Sequence, residues 1–196
     1  MTIVLPIAIF ALSMCGTPGP NNIMLAASGA NFGFRRTIIH IIGVQVGMFL
    51  LLTSGALGIG LLFELIPALQ IVLKILGSAY MLYLAWRIIA SKRAGETEEK
   101  GRPFTLLEAA AFQFINPKGL VIAVTTISTL TKPGDAYVGS VIMLICVFAV
   151  VGSFTASSWA AFGTVIARFL KKDFFFKLFN CIMSGLLVLS ILFILL

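Results

Sequence analysis

Apolar residues fill this chain in six long stretches. They run from about 3–28, 37–63, 67–90, 105–130, 137–166 and 177–196. A bilayer core takes about 20 apolar residues as a helix, so each stretch is long enough to span one. The breaks between them are legible. Asn31, Gly33 and Arg35-Arg36 separate the first two, and Glu64 with Pro67 the next two. The longest polar stretch, Ser91 to Pro103, separates spans three and four. Lys132-Pro133-Gly134-Asp135 reads as a tight turn, and Arg168 to Asp173 closes the fifth span. The pattern predicts an all-α integral membrane protein of six transmembrane helices.

Polar interruptions fall inside two of these stretches. Thr17-Pro18-Gly19-Pro20-Asn21-Asn22 interrupts the first and Asn116-Pro117-Lys118-Gly119 the fourth. Proline lacks the N–H that a helix needs and crowds the carbonyl four residues earlier. In hydrocarbon the freed backbone groups must find protein partners or line a wet cavity. Gly19 stands about 16 residues from the start of its stretch and about 9 from its end, and Pro117 about a dozen from the start of its own. At about 1.5 Å rise per residue both are near the midplane. Broken helices at matching places in two halves point to a transporter's substrate site. Helices one and four are therefore expected to be broken and to face each other. The plainer reading of each is a kink satisfied by neighbouring helices.

Composition agrees. Of 196 residues, 60% are hydrophobic and 11% charged, against about 25% charged in a soluble domain. No linker divides the chain, so 1–196 reads as one transporter domain: half one about 1–91, a loop about 92–104, half two about 105–196. The net charge of +7 sits in short clusters between spans rather than in a nucleic-acid patch. Arg35 and Arg36 mark loop one. Arg87, Lys92, Arg93, Lys100 and Arg102 mark loop three, and Arg168, Lys171, Lys172 and Lys177 loop five. Loop four offers only Lys132 and loop two no basic residue. Basic loops stay cytoplasmic, so both termini are expected to be periplasmic. Three spans per half then require a 3+3 inverted repeat.

The candidate chemistry is sparse. Carbonyls around residues 13 to 16 lose their helical partners to Pro18 and Pro20 and can accept from an ammonium. Asn21 and Asn22 open the second half-helix, where an asparagine caps N–H groups. Lys118 is a cation at depth, which is costly unless paired or hydrated. It lies roughly 18–20 Å from either end of its span, so reaching an interface is hard. No Asp or Glu lies mid-span to pair it, and Glu108 is near the cytoplasmic end. A zwitterion would fit: carboxylate on Lys118, ammonium on the freed carbonyls and the amides of Asn21 and Asn22. Gln45 and Gln113 either bond the substrate or fasten helix to helix. Asn180 reads as such a fastener. Gly43-Val44-Gln45-Val46-Gly47 is a close-packing pattern. Thr155, Ser157 and Ser158 are expected to bond their own helix backbone, with a role lining the path as the alternative. Lys74 is expected to reach outward from span three. Tyr80, Tyr83 and Trp86 read as an interface belt. Cys15, Cys146 and Cys181 show no metal-ligand spacing and read as small buried hydrophobes. There is no Walker lysine loop, HExxH, nucleophile elbow or potassium filter, so neither an enzyme nor a cofactor is expected.

These residues resemble the LysE/RhtB amino-acid exporters. The resemblance lies in Thr17 to Asn22, Gly33-Phe34-Arg35-Arg36, Leu76 to Trp86 and Phe112 to Lys118, and covers essentially the whole chain. It implies an exporter of amino acids or close derivatives in the bacterial inner membrane, driven by the proton motive force. Gln113 to Asn116 and Thr125 to Thr129 are most similar to the cysteine/O-acetylserine branch. The substrate-binding set is then Thr17, Pro18, Gly19, Pro20, Asn21, Asn22, Gln45, Gln113, Asn116, Pro117 and Lys118. The expected partners are a small zwitterionic amino acid, membrane lipid, protons as coupling ion and, in a homo-oligomer, further copies of the chain. Nucleic acid is not among them. Two other classes compete. An ion or metal transporter needs converging carboxylates, thiolates or histidines at midplane; only His40, near a membrane face, and scattered cysteines are on offer. A non-transporting scaffold needs no pair of polar breaks at matching depth.

Overall fold

The computed structural model describes residues 4–58, 67–90, 102–169 and 173–195. Glu64, the loop from Ser91 to Gly101, Lys171 and Lys172, and the side chain of Lys74 lie outside the described residues. Every regular element described is helical. We number the α-helices in chain order: α1 Val4–Gly16, α2 Pro20–Phe32, α3 Phe34–Ala56, α4 Pro67–Ile89, α5 Leu106–Ile115, α6 Pro117–Leu130, α7 Tyr137–Phe169 and α8 Asp173–Leu195. Helices α3, α7 and α8 are long and apolar enough to cross a bilayer alone. The pair α5 and α6 makes a fourth span, bent by 67° at its break. Helices α1 and α2 are 13 residues each, too short to cross singly. Many large apolar side chains point outward, among them Leu107, Val150, Phe154 and Phe174. In a membrane these meet lipid rather than water.

The proline breaks form where the sequence places them. Helix α1 stops at Gly16 because Pro18 cannot donate back to it, and α2 starts with Pro20 in its first turn after an extended Gly19. The expected asparagine cap is corrected: Gly19 holds the cap position without a side-chain bond, and Asn21 and Asn22 lie inside the first turn, their amides bonded elsewhere. The fourth stretch repeats this. Pro117 opens α6, and the Asn116 side chain caps it by accepting from Lys118 N at 3.2 Å. Helix α5 begins with a capping box. Thr105 Oγ1 accepts from Glu108 N, and Glu108 accepts from Thr105 N at 2.8 Å.

One expected boundary is corrected. Asn31 lies in α2, and Arg35 and Arg36 lie in the first turn of α3. Gly33 alone makes the turn, at φ 79, a conformation that side chains disfavour. Asn31 is therefore buried, not in a loop. It exchanges amide hydrogen bonds with Asn180 at 3.2 and 3.3 Å, tying α2 to α8. Asn180 is thus the fastener the sequence indicated.

Two helix seams are backbone against backbone. A Cβ on Gly163 would lie 1.9 Å from Ala26 O, and one on Gly29 2.1 Å from Ala160 O. Helices α2 and α7 can approach this closely only because both carry glycine there. Gly43 and Gly47 do the same for α3 on α5: their Cβ atoms would lie 2.6 Å from Leu106 O and 2.5 Å from Ala110 O. Helix α6 meets α3 less closely, through side chains: a Cβ on Gly119 would lie 3.4 Å from Leu51 Cδ2. The break residues hang between these seams.

Candidate functional site

Helix breaks leave carbonyls without partners, so the first question is where those oxygens go. Ser13 O keeps a helical donor, Thr17 N, at 3.3 Å. The displaced carbonyls therefore start one residue later than expected, at Met14. Met14 O accepts from Thr17 Oγ1 at 3.2 Å. Cys15 O and Thr17 O accept from Asn22 Nδ2 at 2.7 and 2.8 Å. Gly16 O accepts from Trp159 Nε1 of α7 at 3.2 Å. Thr17 O and Pro18 O also accept from Lys118 Nζ, at 3.0 and 3.4 Å. Lys118 Nζ donates to Thr17 Oγ1 as well, at 2.8 Å.

The two breaks thus meet, and the cation of one sits on the freed oxygens of the other. Among the described residues no carboxylate pairs with Lys118. Glu108 is committed elsewhere. It holds Arg102 through two contacts of 2.7 Å, with Arg87 3.8 Å away. A second link joins the breaks behind the lysine. Asn21 Nδ2 donates to Gln113 Oε1 at 2.9 Å, and Gln113 Nε2 returns a bond to Asn21 Oδ1 at 3.0 Å. Gln113 is fully buried, so this exchange satisfies amide groups that would otherwise be stranded.

Beside Lys118 lies a cavity of about 50 Å³. At ~10–15 Å³ of such space per water, it holds roughly three to five. Gly19, Asn21, Asn22, Gln45, Asn116 and Lys118 line it, with Gly119, Gly152 and Thr155. Met14, Cys15, Met48, Ile122 and Phe148 supply apolar wall. Gly19 and Gly152 are there for space. A Cβ on Gly19 would lie 3.0 Å from Lys118 Cδ and 3.1 Å from Nζ. One on Gly152 would lie 2.9 Å from Gln45 Oε1. Both half-helices that start at the breaks, α2 and α6, present their N-terminal turns to this space, and such turns favour anions. The same centre therefore offers oxygens for a cation and helix ends for an anion.

The sequence-derived residues sort clearly. Six of them line the cavity. Thr17 and Pro18 sit at its edge and hold Lys118. Pro20 and Pro117 start the half-helices. Gln113 stands behind the wall as a brace. Sequence reasoning did not assign Trp159, Gly152 or Gly119. The glycines carried no signal without knowledge of what packs on them, and Trp159 is 143 residues from its acceptor. Thr155 bonds Gly152 O at 3.0 Å and Ser158 bonds Phe154 O at 2.8 Å, the own-helix bonding expected. His40 is fully buried in α3, its ring 4.7 Å from that of Phe104. Among the described residues no three of His, Cys, Asp and Glu cluster as metal ligands do.

No solved structure matches the chain. Curated relatives do. The cysteine/O-acetylserine efflux proteins of Escherichia coli (strain K12) and Shigella sonnei (strain Ss046) are each 31% identical over 183 residues, which covers 91% of this chain and 90% of theirs. The LysE type translocator family matches residues 12–195. A match across nearly the whole length, on a helical membrane protein whose two broken segments meet at one cavity, makes this chain a member of the LysE type translocator family.

Proposed function

We propose that this chain is a secondary exporter of a small neutral amino acid or close derivative across the bacterial inner membrane, driven by the proton motive force. Helices α1 with α2, α3, α4, α5 with α6, α7 and α8 form its six spans. They are arranged as a 3+3 inverted repeat with both termini periplasmic, as one domain. The observation that carries this reading is the meeting of the two breaks, with Lys118 Nζ on the oxygens of Thr17 and Pro18. It places a cation seat and two helix N-terminal ends at one small cavity.

A zwitterion matches that arrangement. Its ammonium takes the Thr17 and Pro18 oxygens. Its carboxylate lies against the first turns of α2 and α6, within reach of Lys118. Asn21, Asn22, Gln45 and Asn116 set the polar wall, and Gln113 holds Asn21 in place. The cavity lining contains no carboxylate for a second positive charge, which favours neutral over cationic amino acids. The efflux of cysteine and O-acetylserine named for the relatives is of this chemical kind.

Counterflow in proteoliposomes tests the reading. Vesicles loaded with unlabelled amino acid should take up the same labelled one. L-cysteine, O-acetyl-L-serine and L-serine should exchange, and L-lysine and L-arginine should not. Absence of exchange with every amino acid tried would overturn the exporter reading.

A further inference from the structure

Lys118 occupies the seat that an arriving ammonium needs. Its Nζ has three oxygen partners there: Thr17 O, Thr17 Oγ1 and Pro18 O. Substrate and lysine cannot both hold it. We propose that Lys118 is the proton-coupling residue of this transporter, its ammonium and the substrate's competing for one seat. This rests on the exporter reading above.

All three seat oxygens are neutral, so they suit one cation and cannot balance two. Beyond the seat the wall offers neutral amides, Asn21, Asn22, Gln45 and Asn116, and apolar Met14, Met48 and Phe148. A lysine that left the seat still charged would find no protein carboxylate there to balance it. One that left as a neutral amine would need none. Lysine can make this change, whereas arginine holds its proton. Titratable alternatives are few. Cys15 of α1 faces the lysine, and the groups facing it from α2, α3 and α7 are Asn21, Asn22, Gln45 and Thr155. The acid of α5, Glu108, is held by Arg102.

The steps balance. Facing the cytoplasm, Lys118–NH3+ gives one proton to cavity water and becomes –NH2. The seat then takes a zwitterion, and the loaded site turns outward. There a proton from the periplasm restores –NH3+, which retakes the seat and expels the substrate ammonium. The protonated lysine carries that proton back. One substrate leaves for each proton that enters.

Three measurements decide it. First, adding L-cysteine (or whichever amino acid gives counterflow) to detergent-purified wild type in weak buffer should release up to about one proton per molecule bound. Second, apparent affinity should weaken about tenfold per pH unit on acidification wherever Lys118 is charged. Third, proteoliposomes with an acid interior should concentrate the amino acid. Whatever binding Lys118→Met retains should be independent of pH, and its acid-driven accumulation should be lost. Lys118→Arg should fold, keep the seat filled and show neither counterflow nor accumulation. No proton release by wild type would show that lysine moves still charged, and would overturn the proposal. So would acid-driven accumulation by either variant, or pH-dependent binding by a monodisperse Lys118→Met protein. Absence of wild-type counterflow would instead strike the exporter reading itself.

Discussion

Two side-chain arrangements at the breaks make separable claims. The Asn21–Gln113 exchange is a brace. Removing one partner leaves a buried amide unsatisfied, at a cost of about 1–3 kcal/mol. Asn21→Leu and Gln113→Met should therefore each lower the melting temperature in detergent. The double variant should recover part of the loss, because replacing both partners strands neither. An additive double loss would show that the amides act independently. Gly19 is different. A Cβ there meets only the flexible end of Lys118. Gly19→Ala should leave membrane level and melting temperature near wild type while pushing the ammonium off Thr17 and Pro18, and acid-driven accumulation should fall at least several-fold. Wild-type accumulation in that variant would mean that the seat tolerates displacement. Both breaks were legible in the sequence, because proline acts locally. The partner of Asn21 was not, since it lies 92 residues away and a glutamine in an apolar stretch names no partner.

Element boundaries show the same division. Both stretches break at the prolines the pattern marks, with α2 opening at Pro20 rather than at Asn21 and α6 at Pro117. The Thr105–Glu108 cap on α5 is local too, but the pattern reading did not single it out. Thr105→Ala should cost about 1 kcal/mol, read as a lower melting temperature. The pattern misplaced the first loop because polarity suggested a longer one than Gly33 needs. Asn31 reads as a loop residue until Asn180 is seen opposite it. The α2–α7 seam was illegible as well, since Gly29 and Gly163 are ordinary glycines until the facing backbone is known. There the added Cβ would meet a carbonyl oxygen, which cannot step aside as a side-chain end can. Gly163→Ala should therefore force the two helices apart and sharply reduce folded protein in membranes, measured as monodisperse material after extraction. Gly139, with nothing within 4 Å of its Cβ position, is the control: Gly139→Ala should behave as wild type.

At the scale of the molecule, the basic loops assign an orientation that the helices alone leave open. A reporter active only in the cytoplasm should be silent when fused after Leu196, while alkaline phosphatase there should be active. The opposite result would reverse the proposed orientation, and with it the direction in which the lysine delivers its proton. The cavity also contains its own chemical handle. Cys15 stands in its wall, whereas Cys146 and Cys181, expected to be buried, lie exposed on the outer faces of α7 and α8, where lipid covers them. A water-soluble, membrane-impermeant maleimide should therefore discriminate among three thiols without any engineered cysteine. Labelling at Cys15 would report which side of the membrane the cavity faces at that moment, and saturating amino acid should slow it. The native chain is in that sense its own occupancy sensor.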